Sequence, residues 1–126
     1  HLASRNLINK GLKGEVSLCL CPQILKEFFS VVTNPQGRIE KPLKPEDALE
    51  GIKKLLSSEN IIKIYPKQDT LLKTMELLKK YNLRGRKIFD CQLVATMLSN
   101  GITKLYTFNQ KDFLILTEIK AEILKE

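Results

Sequence analysis

Residues 88–113 read IFDCQLVATMLSNGITKLYTFNQKDF, and this stretch decides the fold. Its first half is apolar at most positions and meets Asn100-Gly101 where a helix would stop, which predicts a helix from Ile88 to about Ser99. Lys104 to Thr107 predicts a short strand. Asn109 to Phe113 reads as a turn or a single helical turn. A helix leading into a strand, and the strand into a polar turn, is the local order of an α/β domain.

The same alternation continues on both sides. Asp69 through Leu71, Leu72, Met75 and Leu78 to about Lys80 predicts a helix, broken by Asn82 and Gly85. Ile61 to Tyr65 predicts a strand ended by Pro66. Pro45-Glu46-Asp47 opens a helix with acids where the macrodipole favours them, and Leu49, Ile52, Leu55 and Leu56 carry it to about Ser57. Residues 35–43 (PQGRIEKPL) read as a loop, and Pro22 opens a helix through Ile24, Leu25, Phe28, Phe29, Val31 and Val32 to Asn34-Pro35. Val16 to Leu20 carries no charge and predicts a buried strand, with Cys19 and Cys21 on one face. Residues 1–11, with Leu2, Leu7 and Ile8 in helical register, read as the tail of a helix ended by Gly11. The end, LILTEIKAEILKE, fits a strand through Ile119, Ala121 and Ile123 and also a helix through Ile115, Ile119 and Ile123; the strand is preferred. Alternating strands and helices predict a mostly parallel sheet. No repeat or dividing linker interrupts residues 1–126, so one domain is expected.

With 43% hydrophobic residues the chain can build a core. No apolar run approaches the ~18 residues that a membrane helix needs, and no signal-peptide pattern is visible at the start. Lys plus Arg outnumber Asp plus Glu by 21 to 14, a net +7 that suits either a polyanionic partner or a solvated Lys-rich surface. Cys19, Cys21 and Cys91 lack the second pair or nearby His of a zinc site; they read as small buried hydrophobes, free thiols in a reducing cytoplasm.

Acidic and amide side chains stand where apolar runs would not favour them: Glu27 in LKEFFSVVTNP, Asp90 in KIFDCQLVATML, and Asn109 and Asp112 in YTFNQKDFLIL. A carboxylate in an apolar setting costs several kcal/mol unless it is paired or binds a metal. Three such places in one small chain suggest convergence on a cation. Glu27 shares a helix face with Ile24 and Val31, although a Glu there can also curl out to Lys26 or Lys53. Asp90 shares a face with Val94 and Met97 and also fits the first turn of its helix. Asn109 and Asp112 follow a strand end, where parallel α/β sheets build ligand sites; Thr107 could hold either in place, and an ordinary polar turn is the plainer reading.

CPQILKEFFSVVTNP followed by IFDCQLVATMLSNGITKLYTFNQKDF resembles the PIN-domain ribonucleases, most closely the VapC-type toxins of toxin–antitoxin pairs. The matched features are Glu27 before Val31-Val32-Thr33-Asn34-Pro35, then Asp90, Ala95 and Gly101, then Thr107, Asn109, Asp112 and Phe113, covering residues 1 to about 118. The resemblance implies a three-layer α/β/α fold with strand order 3-2-1-4-5. It implies a metal-dependent endoribonuclease using Mg²⁺ or Mn²⁺, with metal ligands Asp90, Glu27 and Asp112 and with Asn109 and Thr107 completing the catalytic set. RNA would approach over Arg84, Arg86, Lys87, Lys104 and Lys111, although residues 83–87 also read as a plain solvated turn. An antitoxin and a homodimer are implied partners. The sequence departs from the family in two ways. The family's first strand and its Asp are absent, which leads to an expectation of roughly 20–30 further residues upstream, and Asn109 stands in place of an acid. These departures motivate an alternative, a catalytically silent PIN-like module that binds RNA or protein. A generic α/β regulatory domain is a third, weaker reading. The only His is His1, which argues against a His-based ribonuclease.

Overall fold

Pro22 and Pro45 each open a helix at the position where a missing N–H does no harm. The computed structural model of the chain describes residues 2–37, 41–107 and 109–123, with side chains from residue 5. His1, the Leu2 side chain, the middle of the 35–43 loop, Phe108 and the last three residues lie outside the described residues. The elements in order are α1 (Leu2–Leu12), β1 (Leu18–Leu20), α2 (Pro22–Thr33), α3 (Pro45–Ser57), β2 (Ile61–Lys63), α4 (Thr70–Lys80), α5 (Lys87–Ser99), β3 (Lys104–Thr107), α6 (Gln110–Phe113) and β4 (Lys120–Ile123). The fold is α/β, and every strand pair among the described residues is parallel.

Three helices end in the same way. At Gly14, Asn82 and Gly101 the backbone turns to φ +76°, +52° and +71°. The N–H of the next residue then reaches back five positions: Glu15 to the Lys10 carbonyl, Leu83 to Leu78, Ile102 to Met97. These Schellman caps satisfy carbonyls that a helix end leaves open. Gly11 is therefore not the stop of α1; it lies inside the helix and is buried.

The chain divides into two compact units, Arg5–Lys63 and, with His1–Ser4, Ile64–Glu126. In the first, β1 pairs with β2 from Leu18↔Ile61 to Leu20↔Lys63, and the crossover runs through α2 and α3. Leu25, Leu55 and Ile61 form its core, with Ile8, Leu12, Leu18, Leu20 and Ile52 packed against them. Strand β1 is shorter than the predicted Val16–Leu20, because the cap of α1 takes the backbone as far as Glu15, and it is half-buried rather than buried. Cys21 lies beyond the strand, as the N-cap residue of α2, and is buried.

In the second unit, β3 pairs with β4 from Lys104↔Lys120 to Thr107↔Ile123, which settles the end of the chain in favour of the strand. The facing lysines both pair with Glu122, which lies 3.5 Å from Lys104 and 3.6 Å from Lys120. Strand β2, in the first unit, stops short of the predicted Tyr65, whose carbonyl instead accepts the Asn100 side-chain amide at 2.9 Å. Helix α4 packs on α5 through Thr70, Thr74 and Leu77. Leu71, Leu72 and Met75 are 68%, 62% and 55% exposed. The threonines are buried without penalty because their hydroxyls are bonded, Thr74 to the Thr70 carbonyl (2.8 Å) and Thr70 to the Ser99 hydroxyl (2.9 Å).

A Cβ at Gly11 would meet Leu18 Cδ2 at 2.9 Å, Leu18 Cβ at 3.0 Å and Ile61 Cδ1 at 3.1 Å, whereas one at Gly51 on α3 would meet nothing. Gly11→Val is expected to destabilise the protein by roughly 1–3 kcal/mol through overpacking, and Gly51→Ala to stabilise it by about 0.5–1 kcal/mol through helix propensity. Urea-denaturation midpoints shifting in opposite directions would bear this out; two shifts of the same sign would contradict it.

Candidate functional site

Helix α5 is apolar on nearly every side, and Cys91, Leu93, Val94, Ala95, Thr96 and Met97 are all buried. The Thr96 hydroxyl donates to the Gln92 carbonyl one turn back (2.9 Å). A helix buried all round cannot rotate without breaking its packing, so its first turn has a fixed position. Asp90 lies in that turn, half-buried, with Val94 and Met97 on its face as the spacing predicts. Gly85, at φ +63°, turns the chain into the helix.

Lys87 is the first residue of α5. Its Nζ stands 3.5 Å from Asp90 Oδ2 and 3.5 Å from Asp112 Oδ1. Asp112 arrives from α6. Thr107, ending β3, accepts the Asn109 N–H on its hydroxyl at 2.9 Å, and the Asn109 carbonyl accepts the Asp112 N–H at 3.0 Å. The Gln110 side-chain amide donates to the Ala121 carbonyl at 3.0 Å and ties α6 to β4. Two carboxylates from separate elements therefore meet at one ammonium. Thr107 holds the loop as its position suggests, through the backbone of Asn109; the Asn109 side chain is exposed and makes no cap bond.

Burial pushes the Asp90 carboxyl above the usual carboxylate range. The Lys87 ammonium pulls it down, the Asp112 carboxylate pushes it up, and burial prevails. Cys91, fully buried beside Asp90, is raised by burial and then by the Asp90 charge, which makes it an inert packing thiol. Cys19, Cys21 and Cys91 are all free thiols.

Glu27 belongs to the first unit. The expectation that it lies on an apolar core face is corrected: Glu27 is exposed, with Val31 also exposed, and accepts a hydrogen bond from Gln23 at 3.4 Å. Helix α2 buries Leu25 instead, so at this point in the helix the inward side runs through Leu25 and not through Ile24 and Val31. Arg84, Arg86 and Lys111 are exposed, and the Arg86 guanidinium lies 5.7 Å from the Phe89 ring centre. Lys104 starts β3 and pairs with Glu122, so it lies at the other end of the strand, about 10 Å from Thr107.

Two features carried no sequence signal. One is the bridging role of Lys87, which spacing alone marked only as part of a basic turn. The other is a knot around Glu118, which takes the Lys80 ammonium and the Tyr81 hydroxyl, each at 2.7 Å. Burial pushes the Glu118 carboxyl up, but these hydrogen bonds outweigh it and hold the group below its usual range. Its partners lie far off in the sequence, where no periodicity could connect them.

Paired carboxylate oxygens facing a common cation are the donors that hard divalent ions prefer, and Mg²⁺ is commonly bound by one or two carboxylates with water and phosphate filling its shell. Asp90 and Asp112 fit that requirement. Among the described residues no group of three or more His, Cys, Asp or Glu could hold a metal ion. The family model described as PIN domain matches residues 1–117. No curated protein matches the chain.

Because the folded-state pKa of Asp90 is raised, its charge destabilises the fold above that pKa, and the penalty vanishes as pH falls below the unfolded value. In the presence of a chelator, Asp90→Asn is expected to raise the melting temperature at pH 7 and to leave it nearly unchanged at pH 3. Thermal unfolding at the two pH values tests this; a lower melting temperature at pH 7 would contradict it.

Proposed function

Starting from the premise that this chain belongs to the PIN-domain family, whose members are generally nucleases and typically use divalent metal ions, we propose that it is a metal-dependent endoribonuclease, the VapC-type toxin of a toxin–antitoxin pair. The observation that carries the reading is the meeting of Asp90 and Asp112 at one cationic position. We further propose that residues 1–126 form one PIN-like domain, a reading supported by a family match that runs through both compact units.

In this reading Asp90 and Asp112 hold Mg²⁺ or Mn²⁺. The ion would lower the pKa of a nearby water and offset charge on the scissile phosphate. Asp90 stands on buried α5, and Asp112 on a loop held by the Thr107–Asn109 bond, so the backbone carrying each carboxylate is held before substrate arrives. Lys87 supplies positive charge beside them, and the exposed Arg84, Arg86 and Lys111 and the net charge of +7 support a polyanionic substrate. The exposed Leu71, Leu72 and Met75 on α4 support a protein partner, either an antitoxin or a second copy. The free thiols support a cytoplasmic location. No helix among the described residues is long and apolar enough to cross a membrane.

A second reading, a catalytically silent RNA- or protein-binding module, is favoured by one observation: Asn109 provides no charge where the family carries an acid. Cleavage of RNA by the full-length protein with Mn²⁺ separates the two. The nuclease reading expects turnover that falls by ~10²-fold or more in Asp90→Asn. Undiminished turnover in that variant would reject the site, and no turnover in the wild type would favour the silent module.

A further inference from the structure

We propose that Lys87 is a place-holder for the divalent ion: its ammonium holds the Asp90 and Asp112 carboxylates together in the metal-free protein and is expelled when metal binds. The proposal rests on the nuclease reading and concerns the control of that same site. Two neighbouring carboxylates repel each other, and without a cation between them they would spread or take up a proton. Lys87 supplies that cation, with one Nζ at 3.5 Å from an oxygen of each.

The contacts are built to be exchanged. Both are longer than the 2.7–2.9 Å of a tight charge-assisted hydrogen bond, whereas the Lys80–Glu118 pair in the same unit reaches 2.7 Å. The Lys87 side chain is 39% exposed, and it projects from the first residue of α5, next to the Gly85 turn. Its four-carbon stem carries a compact charge without the fixed fork of Arg, so it can swing aside at little cost in hydrogen-bond geometry. Mg²⁺ needs oxygens at about 2.0–2.1 Å, and an ion so close to both carboxylates leaves no room for an ammonium between them. Once displaced, Lys87 is left beside the acids, where the substrate phosphate would lie. Metal binding thereby releases a cation for RNA, and by linkage RNA would tighten metal binding.

Calorimetric titration of Mn²⁺ into the full chain tests this with wild type, Lys87→Met and Lys111→Met. Removing a charge that competes for the same position is expected to tighten Mn²⁺ about tenfold in Lys87→Met, while Lys111→Met, which removes an equal charge nearby, changes affinity less than twofold. In ¹⁵N-lysine spectra of the wild type, the Lys87 ammonium signal, assigned by its loss in Lys87→Arg, should shift or vanish on saturation with Mg²⁺. If wild type binds Mn²⁺ but Lys87→Met binds no more tightly, or the ammonium signal is unmoved by Mg²⁺, the place-holder is overturned and the nuclease reading stands. An equal gain in Lys111→Met would also overturn it, since the effect would then be net charge. If only Lys87→Met binds Mn²⁺, the place-holder is supported and the wild type is not the metal enzyme proposed. If no form binds Mn²⁺, both readings fall.

Discussion

Burial of α5 on nearly all its sides is the constraint from which the site follows. Cys91, Val94 and Ala95 are wholly inaccessible to solvent, and Met97 nearly so. Interiors packed to crystal-like density do not let such a helix turn or slide, so whatever stands in its first turn inherits its precision. Asp90 stands there, at the boundary where burial ends. Its raised pKa is the electrostatic consequence: the packing that positions the carboxylate also removes part of its hydration.

The unit containing this helix holds two kinds of charge contact. The Glu118 knot joins the end of α4 to the segment between α6 and β4 through short bonds from Lys80 and Tyr81. Such a tie links pieces of chain far apart in sequence and suits a fixed structural role. The bonds of Lys87 to Asp90 and Asp112 are longer, and they join groups whose charges sum to an excess of one negative. A residual negative charge on a positively charged chain is a natural place for a small cation. Strand β3 carries a different contact at each end: Lys104, at its start, pairs with Glu122, while Thr107, at its end, fixes the loop that brings Asp112.

Much of the fold was legible in the residues. Prolines at Pro22 and Pro45 marked helix starts within one residue, because a ring without an N–H fits only the first turn. Asn82 and Gly101 marked helix stops, because both tolerate the left-handed turn that a Schellman cap needs. Gly11 misled, since close packing against Leu18 and Ile61 excludes a side chain there as effectively as a turn would. Apolar content misled in α4: Leu71, Leu72 and Met75 face outward, while bonded threonines join Leu77 on the buried side, a pattern invisible to hydropathy because a threonine whose hydroxyl is internally satisfied buries like a hydrophobe. The apolar surroundings of Glu27 in the sequence were likewise no guide, because Leu25 and not Ile24 or Val31 sets the inward direction of α2.

By itself, the sequence determined the alternation of helices and strands, the parallel pairing and the residue types at the site, since each depends on local periodicity, turn chemistry or motif order that neighbouring residues carry. Only the tertiary structure decided that Asp90 and Asp112 share Lys87, that Lys104 lies at the wrong end of β3 to join them, and that Glu118 is tied to Lys80 and Tyr81. Apart from the Lys87–Asp90 pair within α5, those are relations between different elements. They depend on helix rotation and strand register set by packing, which no one-dimensional pattern encodes.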